Sequence, residues 1–420
     1  MTAGRPARRR ILADLSPLRE SRDFRLLFAG GAVSYLGRQL TVVAVPYQVF
    51  VMTKSSLAVG LTGLAALVPL VVMSLVGGAV ADAVDRRKLL LATQVAQALT
   101  SVVLALNAAS ATPRLWVIYV ISALAAGISG IELPTRNAMT PNLVRRELFP
   151  AAAALGQILF QVGLVAGPAL AGLIIAQVNL AASFWIDVAT FAAAIVSIAA
   201  ISAQPPAGGG TRASVASIRE GLAFVKGRRL LVSTFLIDIN AMVFGMPRAL
   251  FPALGTGLYA GGATTVGLLY AAPGAGALAA ALFTGWVTRV RCQGRAVIIS
   301  VLVWGSAIAA FGLVRYLPLG LLLLAVAGGA DVLSAVFRNT ILQVTVPDSL
   351  RGRLSSVHIA VVTGGPRLGD AEAGVVATAV SAPFSVVSGG VACVLGVLVL
   401  MRRYPELARY NASAPTEPET

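Results

Sequence analysis

Apolar runs of crossing length, broken by Gly, Pro or clusters of charge, follow one another along the chain. They fall at 24–51, 57–81, 89–111, 115–140, 148–178 and 180–202, then at 230–256, 263–290, 296–315, 317–346, 353–377 and 379–401. One helical crossing of a bilayer takes about 20 apolar residues, so a dozen crossings use most of the 420 and leave short loops. The pattern predicts an all-α integral membrane protein with 12 transmembrane helices. Between the two sets of six lies 204–229, where Pro205, Pro206, Gly208-Gly209-Gly210 and five basic residues read as a flexible linker. The predicted organisation is an N-terminal tail (1–23), a six-helix bundle (24–203), the linker (204–229), a second six-helix bundle (230–401) and a C-terminal tail (402–420).

Composition agrees with this pattern, at 57% hydrophobic and 12% charged residues, far from a soluble domain. A net charge of +16 would suggest a nucleic-acid partner in a solvated domain. Here the basic residues sit in small groups between apolar runs, so a nucleic-acid partner is excluded and the lipid bilayer is the expected surrounding. Of 33 Lys and Arg, 25 fall on one side of the predicted topology and three (Lys54, Arg114, Arg315) on the other. By the positive-inside rule both tails and the linker face the cytoplasm of a bacterial inner membrane. Arg8-Arg9-Arg10 superficially resembles a twin-Arg export signal, but the apolar run after it is too long, and it reads as a retained cytoplasmic anchor. Trp116, Trp185, Trp286 and Trp304 read as an interfacial belt near span ends. Cys292 and Cys393 offer neither a disulfide framework nor a metal-ligand spacing.

The two bundles carry an internal repeat. Ala125-Ala126-Gly127 with Arg136-Asn137 in span 4 recurs, 202 positions on, as Ala327-Gly328-Gly329 with Arg338-Asn339 in span 10. Gly78 and Asp82 have weaker counterparts in Gly285 and Arg289. Repeated halves meeting at the bilayer midplane are a transporter arrangement.

After span 2 comes Gly78-Ala-Val-Ala-Asp82-Ala-Val-Asp85-Arg86-Arg87-Lys88, which resembles the loop motif G-x-x-x-D-[RK]-x-G-[RK]-[RK] of the major facilitator superfamily, with Ala83 and Asp85 as departures. An acid there can cap a helix and pair with Arg, so the motif can latch one conformation. Gly163-Leu-Val-Ala-Gly167-Pro168-Ala-Leu-Ala171-Gly172 in span 5 resembles the superfamily's antiporter motif, with Ala154 and Ala171 replacing two glycines; it implies an exporter, although small residues also serve plain helix packing. A narrower resemblance, to the enterobactin-exporter branch, runs through Ala44-Val45-Pro46-x-Gln48, Pro141 to Leu148, Leu269-Tyr270-Ala271-Ala272, Arg351 to His358 and Leu368 to Gly374. It implies alternating access and a siderophore-like cargo. Related members export macrolides and other drugs, so a multidrug pump is the alternative, and a non-transporting receptor on the same fold is a third reading.

Ionisable groups within spans are costly and therefore functional candidates. The acids are Glu132, Asp187, Asp238, Asp331, Asp370 and Glu372; the bases are Arg38, Arg136, Arg248, Arg338 and Arg367. Glu132 and Arg136, at i and i+4, share a helix face, either as a structural ion pair or as a proton-coupling site. Arg367 and Asp370 are similarly placed. Asp238 has no partner on its own helix, and Asp187, beside Trp185, reads as an interfacial anchor. His358, the one histidine, suits either a proton relay or polar packing. The proton-coupling candidates are thus Glu132, Asp238, Asp370 and His358. Arg38, Gln48, Arg136, Gln157, Gln161, Asn240, Arg338, Asn339, Arg367 and Glu372 are candidates for the cargo cavity; Gln157 and Gln161 can equally bond a neighbouring helix. Gly78, Asp82, Arg86, Arg87, Gly163, Gly167, Pro168 and Gly172 form the conformational motifs. With no P-loop of the form G-x4-G-K-[ST], ATP does not drive transport directly, and a proton gradient is expected in place of any cofactor. No enzyme is expected, and the expected assembly is a monomer carrying small-molecule cargo and protons.

Overall fold

The computed structural model of the chain describes the backbone of residues 14–205, 223–346 and 348–411, and their side chains apart from positions 79, 82, 284, 286, 288 and 348–360. The twin-Arg segment, most of the linker, and the side chains of Asp82 and His358 lie outside the described residues. No strand occurs among the residues described. Twelve long helices follow in order: α1 Arg22–Thr53, α2 Ser56–Ala83, α3 Arg86–Ala109, α4 Leu115–Leu143, α5 Phe149–Gln177, α6 Leu180–Ala199, α7 Arg229–Phe244, α8 Gly262–Leu282, α9 Gln293–Leu313, α10 Leu317–Thr345, α11 Asp348–Ala379 and α12 Ala382–Arg403. Among the described residues, eleven spans are long and apolar enough to cross a membrane, the seventh running from α7 on to Leu258. The other, α11, has the length, but Arg367, Asp370 and Glu372 load it with charge.

Helix is the form that satisfies every backbone group within hydrocarbon, and short polar residues fix where each begins. Ser21, Ser55, Asn179 and Ser381 accept from the backbone N–H three residues on, opening α1, α2, α6 and α12. At α3 the cap is Asp85, whose carboxylate accepts from the N–H of Arg87 (2.9 Å) and Lys88 (3.2 Å). The residue that departs from the loop motif is thus the one that starts the helix.

The predicted run 230–256 is not one continuous helix. It breaks after Phe244, at Gly245 to Pro247, and resumes through a 3-10 turn (Arg248–Leu250) and a π segment (Leu254–Leu258). Proline supplies no N–H, and backbone groups freed within a bilayer must find partners. Three neighbours provide them. Trp304 Nε1 on α9 donates to the Gly245 carbonyl (2.8 Å), the Tyr270 hydroxyl on α8 donates to the Arg248 carbonyl (3.0 Å), and the Ala249 N–H donates to Asp370 on α11 (2.9 Å). Trp304 is therefore a buried clasp in mid-helix and not part of an interfacial belt; Trp116 and Trp185 are exposed.

The halves are packed as copies. α2 lies on α4 as α8 lies on α10; α1 on α6 as α7 on α12; α3 on α6 as α9 on α12. Between halves the contacts concentrate along α5 with α8 and α2 with α11. Glycine permits both seams. A Cβ on Gly172 of α5 would stand 2.9 Å from the Gly267 Cα of α8, and one on Gly374 of α11 would stand 2.8 Å from the Ser56 carbonyl oxygen of α2. Both contacts lie at the end of the bundle opposite the termini. Positions above Gly78, Gly156 and Gly285 at the terminal end, and above Gly257 and Gly262 at the other, meet nothing within 4 Å. The glycine-permitted seams between the halves thus lie toward the end opposite the termini.

Candidate functional site

A cavity of about 570 Å³ opens between α1, α4 and α5. Its polar wall is a three-charge cluster. Arg38 on α1 reaches both carboxylate oxygens of Glu132 on α4, Nη2 lying 3.0 and 2.9 Å away, and Arg136, one turn along α4, donates to the same carboxylate at 3.2 Å. Glu132 is 3% exposed, so a single buried anion holds two guanidinium groups and the cluster keeps one excess positive charge. Gly31 on α1 makes the room: a side chain there would collide with Arg136 Nη1. Tyr35, Phe28, Phe149 and Phe160 form the apolar wall, with Tyr35 and Phe160 rings 5.7 Å apart.

The second half repeats the device with its charges redistributed. Arg338, which the 202-residue repeat equates with Arg136, is fully buried against Asp238 on α7, a position 200 residues beyond Arg38. Asp238 thus has a partner, on another helix, where the sequence offered none on its own. Asp187 is likewise no interfacial anchor. It is buried at the centre of the first half, accepting from Thr41 (2.7 Å) on α1 and Ser101 (2.8 Å) on α3.

The other sequence candidates separate by position. Gln157 and Asn137 line the cavity, whereas Gln48 and Gln161 are buried away from it. Asn240 donates to the Cys393 carbonyl (2.8 Å), joining α7 to α12, and Asn339 is exposed. Arg367 turns back to the Thr363 carbonyl (2.6 Å) and Asp370 to Ala249, so these two do not form the i, i+3 pair that their spacing allows. Glu372 is partly buried with no bonded partner among the described residues. Arg248, at the α7 break, also lacks one; its charge acts on Tyr35 across the half-to-half boundary and on Asp331 and Asp370.

In the loop motif, Arg86 donates to the carbonyls of Ala81 and Ala138, tying α2 to α4, and Arg87 to those of Ile198 and Ala199. The second contact puts a cation on the C-terminal carbonyls of α6, where the helix dipole favours it. In the span 5 motif, Gly163 faces Tyr35, Gly167 faces Gln39, and Pro168 with Gly172 faces Gly267, so α5 is wedged between α1 and α8.

Two six-helix halves of membrane-crossing helices, the first holding a charge cluster beside a mostly apolar cavity, define a multi-pass transporter. The chain belongs to the transmembrane secretion effector family of major facilitator transporters, whose profile matches residues 12–418. Among similar proteins, the enterobactin exporter EntS of Citrobacter koseri is 28% identical over 408 residues, 96% of this chain and 97% of its own. That of Shigella boydii serotype 18 is 29% identical over 409 residues, with the same coverage of both chains. Among solved structures, the nucleoside transporter NupG superposes with a TM-score of 0.72 at 14% identity, over 92% of this chain and 99% of that one. A POT family transporter in complex with 5-aminolevulinic acid gives 0.70 at 11%, over 92% and 97%. These structures share the fold. The family and its relatives are transporters, not enzymes.

Proposed function

We propose that the chain is a proton-coupled exporter in the bacterial inner membrane, both termini cytoplasmic, which moves a small amphipathic molecule outward by alternating access as a monomer. The observation that carries this reading is the position of the cavity. Its lining runs to Phe24 and Phe149 at the terminal ends of α1 and α5, the end that by the positive-inside rule faces the cytoplasm, while the tight α5–α8 and α2–α11 contacts lie toward the other. Cargo would enter at the cytoplasmic end, meet the Arg38–Glu132–Arg136 cluster on one side and aromatic rings on the other, and leave when the α5–α8 and α2–α11 seams part. The favoured cargo is a siderophore of the enterobactin kind, supported by whole-length likeness to relatives so named. The mostly apolar wall also supports a second reading, a macrolide-type drug pump.

Purified protein in proteoliposomes, offered enterobactin and erythromycin separately, tests the choice. Saturable flux of enterobactin alone is the expected result. Flux of erythromycin alone would move the assignment to the drug pump, and flux of neither would favour a receptor on this fold.

A further inference from the structure

The acids within the spans differ in what holds them. Glu132 is claimed by two arginines, Asp238 by Arg338, Asp187 by hydroxyls from α1 and α3, and Asp370 by the Ala249 N–H. Asp331 and Glu372, both partly buried, are held by nothing: among the described residues no hydrogen bond or ion pair reaches either carboxylate. Glu372 lies seven positions from the end of α11, whereas Asp331 is the central residue of α10, fourteen positions from each end, and so lies at the middle of a crossing. The repeat places it opposite Ser129 of α4, a neutral side chain that accepts from Gln97 of α3 at 2.9 Å. The carboxylate thus occupies a position that the first half fills with an uncharged, bonded hydroxyl.

Asp331, Ser334 and Arg338 stand at i, i+3 and i+7, on one face of α10. Along that face Ser334 Oγ and Arg338 Nε are buried without a partner. The charges that act on Asp331 are Arg338 on its own helix, Asp238 on α7 and Arg248 in the 3-10 turn that follows it. Of the helices packed on α10, α8 carries no charged residue and its Tyr270 is spent on the Arg248 carbonyl, while α9 has Arg295 at its terminal end alone. Arg338 is already committed to Asp238, and Arg248 acts on Asp331 without touching it. A carboxylate at mid-bilayer with no bonded cation is uncharged only if it holds a proton. Among acids already clamped by arginine, protonation would strand a buried cation; at Asp331 it strands nothing.

We infer that Asp331 is the site at which the transported proton binds, an inference that rests on the proton-coupled reading above. Loss of the proton leaves an anion facing Arg248 across α7 and α10, which gives the two protonation states different electrostatics in the half of the molecule away from the Arg38 cluster. The step is a plain protonation of a carboxylate oxygen, with no bond other than O–H made or broken.

The test uses purified full-length protein in nanodiscs, with no cargo. In infrared difference spectra between acid and alkaline buffer, the wild type should show a protonated-carboxyl C=O band that is absent in Asp331→Asn, retained in Asp370→Asn and restored at a shifted frequency in Asp331→Glu. An Asp331→Asn spectrum that keeps the band overturns the assignment. So does an Asp331→Asn protein that fails to fold, because a carboxylate without bonds should be dispensable to the fold. A second arm measures enterobactin in proteoliposomes: Asp331→Asn should lose gradient-driven accumulation while keeping downhill exchange. If the wild type shows the band but no response to the gradient, the coupling reading falls and with it the assignment of a transported proton, leaving Asp331 as a titrating group alone. If both wild type and Asp331→Asn respond to the gradient, the site falls and the coupling stands.

Discussion

Arg38 and Arg136 share one buried anion, so the neutral variant Glu132→Gln exposes two partly buried guanidinium groups to each other. Removing one partner from a buried pair typically costs ~3–5 kcal/mol. Glu132→Gln should therefore lower the melting temperature in detergent sharply, and Glu132→Gln with Arg136→Gln should recover most of it. A single variant as stable as the wild type would mean that the cluster does not hold α1 to α4. At this scale the sequence was half legible. Glu132 and Arg136 could be paired from i, i+4 spacing alone, but Arg38 lies 94 residues away and enters only when α1 packs on α4. Asp187 was misread for the same reason: its partners Thr41 and Ser101 are unremarkable in sequence and decisive only once three helices meet. A usable signal for the Asp238–Arg338 pair did exist, in the repeat that equates Arg338 with Arg136.

The helices themselves were legible, because bilayer thickness imposes a length on each apolar run. Where the run was continuous but the helix was not, hydropathy could not tell. The break in α7 is apolar on both sides of Gly245 and Pro247, and what stabilises it is three side chains from α8, α9 and α11. The span 5 motif is clearer in structure than in sequence, since its glycines face named neighbours in α1 and α8. Gly172→Val would press a branched side chain into the Gly267 backbone. Overpacking of this kind costs about 1–3 kcal/mol, and here it would fall on the end opposite the termini alone. Spin labels on α5 and α8 at that end should report a longer distance in Gly172→Val, with enterobactin transport reduced at least severalfold and membrane insertion unchanged. An unaltered distance would mean that the seam is not set by glycine contact.

For the whole molecule, the six-plus-six order was readable from the pattern and the repeat, whereas the end toward which the cavity reaches was not, since it depends on how two halves of similar composition tilt. The structure captures one arrangement: the glycine seams between the halves away from the termini, the cavity reaching toward them, an excess of positive charge at the Arg38 cluster and an unbonded acid at the middle of α10. Export driven by protons requires that this orientation and its opposite exchange, each protonation state favouring its own. With both termini cytoplasmic, as proposed, everted membrane vesicles put the terminal end outside, where cargo can be supplied. With an acidified lumen, vesicles carrying the protein should accumulate enterobactin above its external concentration, and a protonophore should collapse that accumulation to the level of vesicles without the protein. Accumulation that survives the protonophore, or equilibration that ignores the gradient, would contradict proton-coupled export.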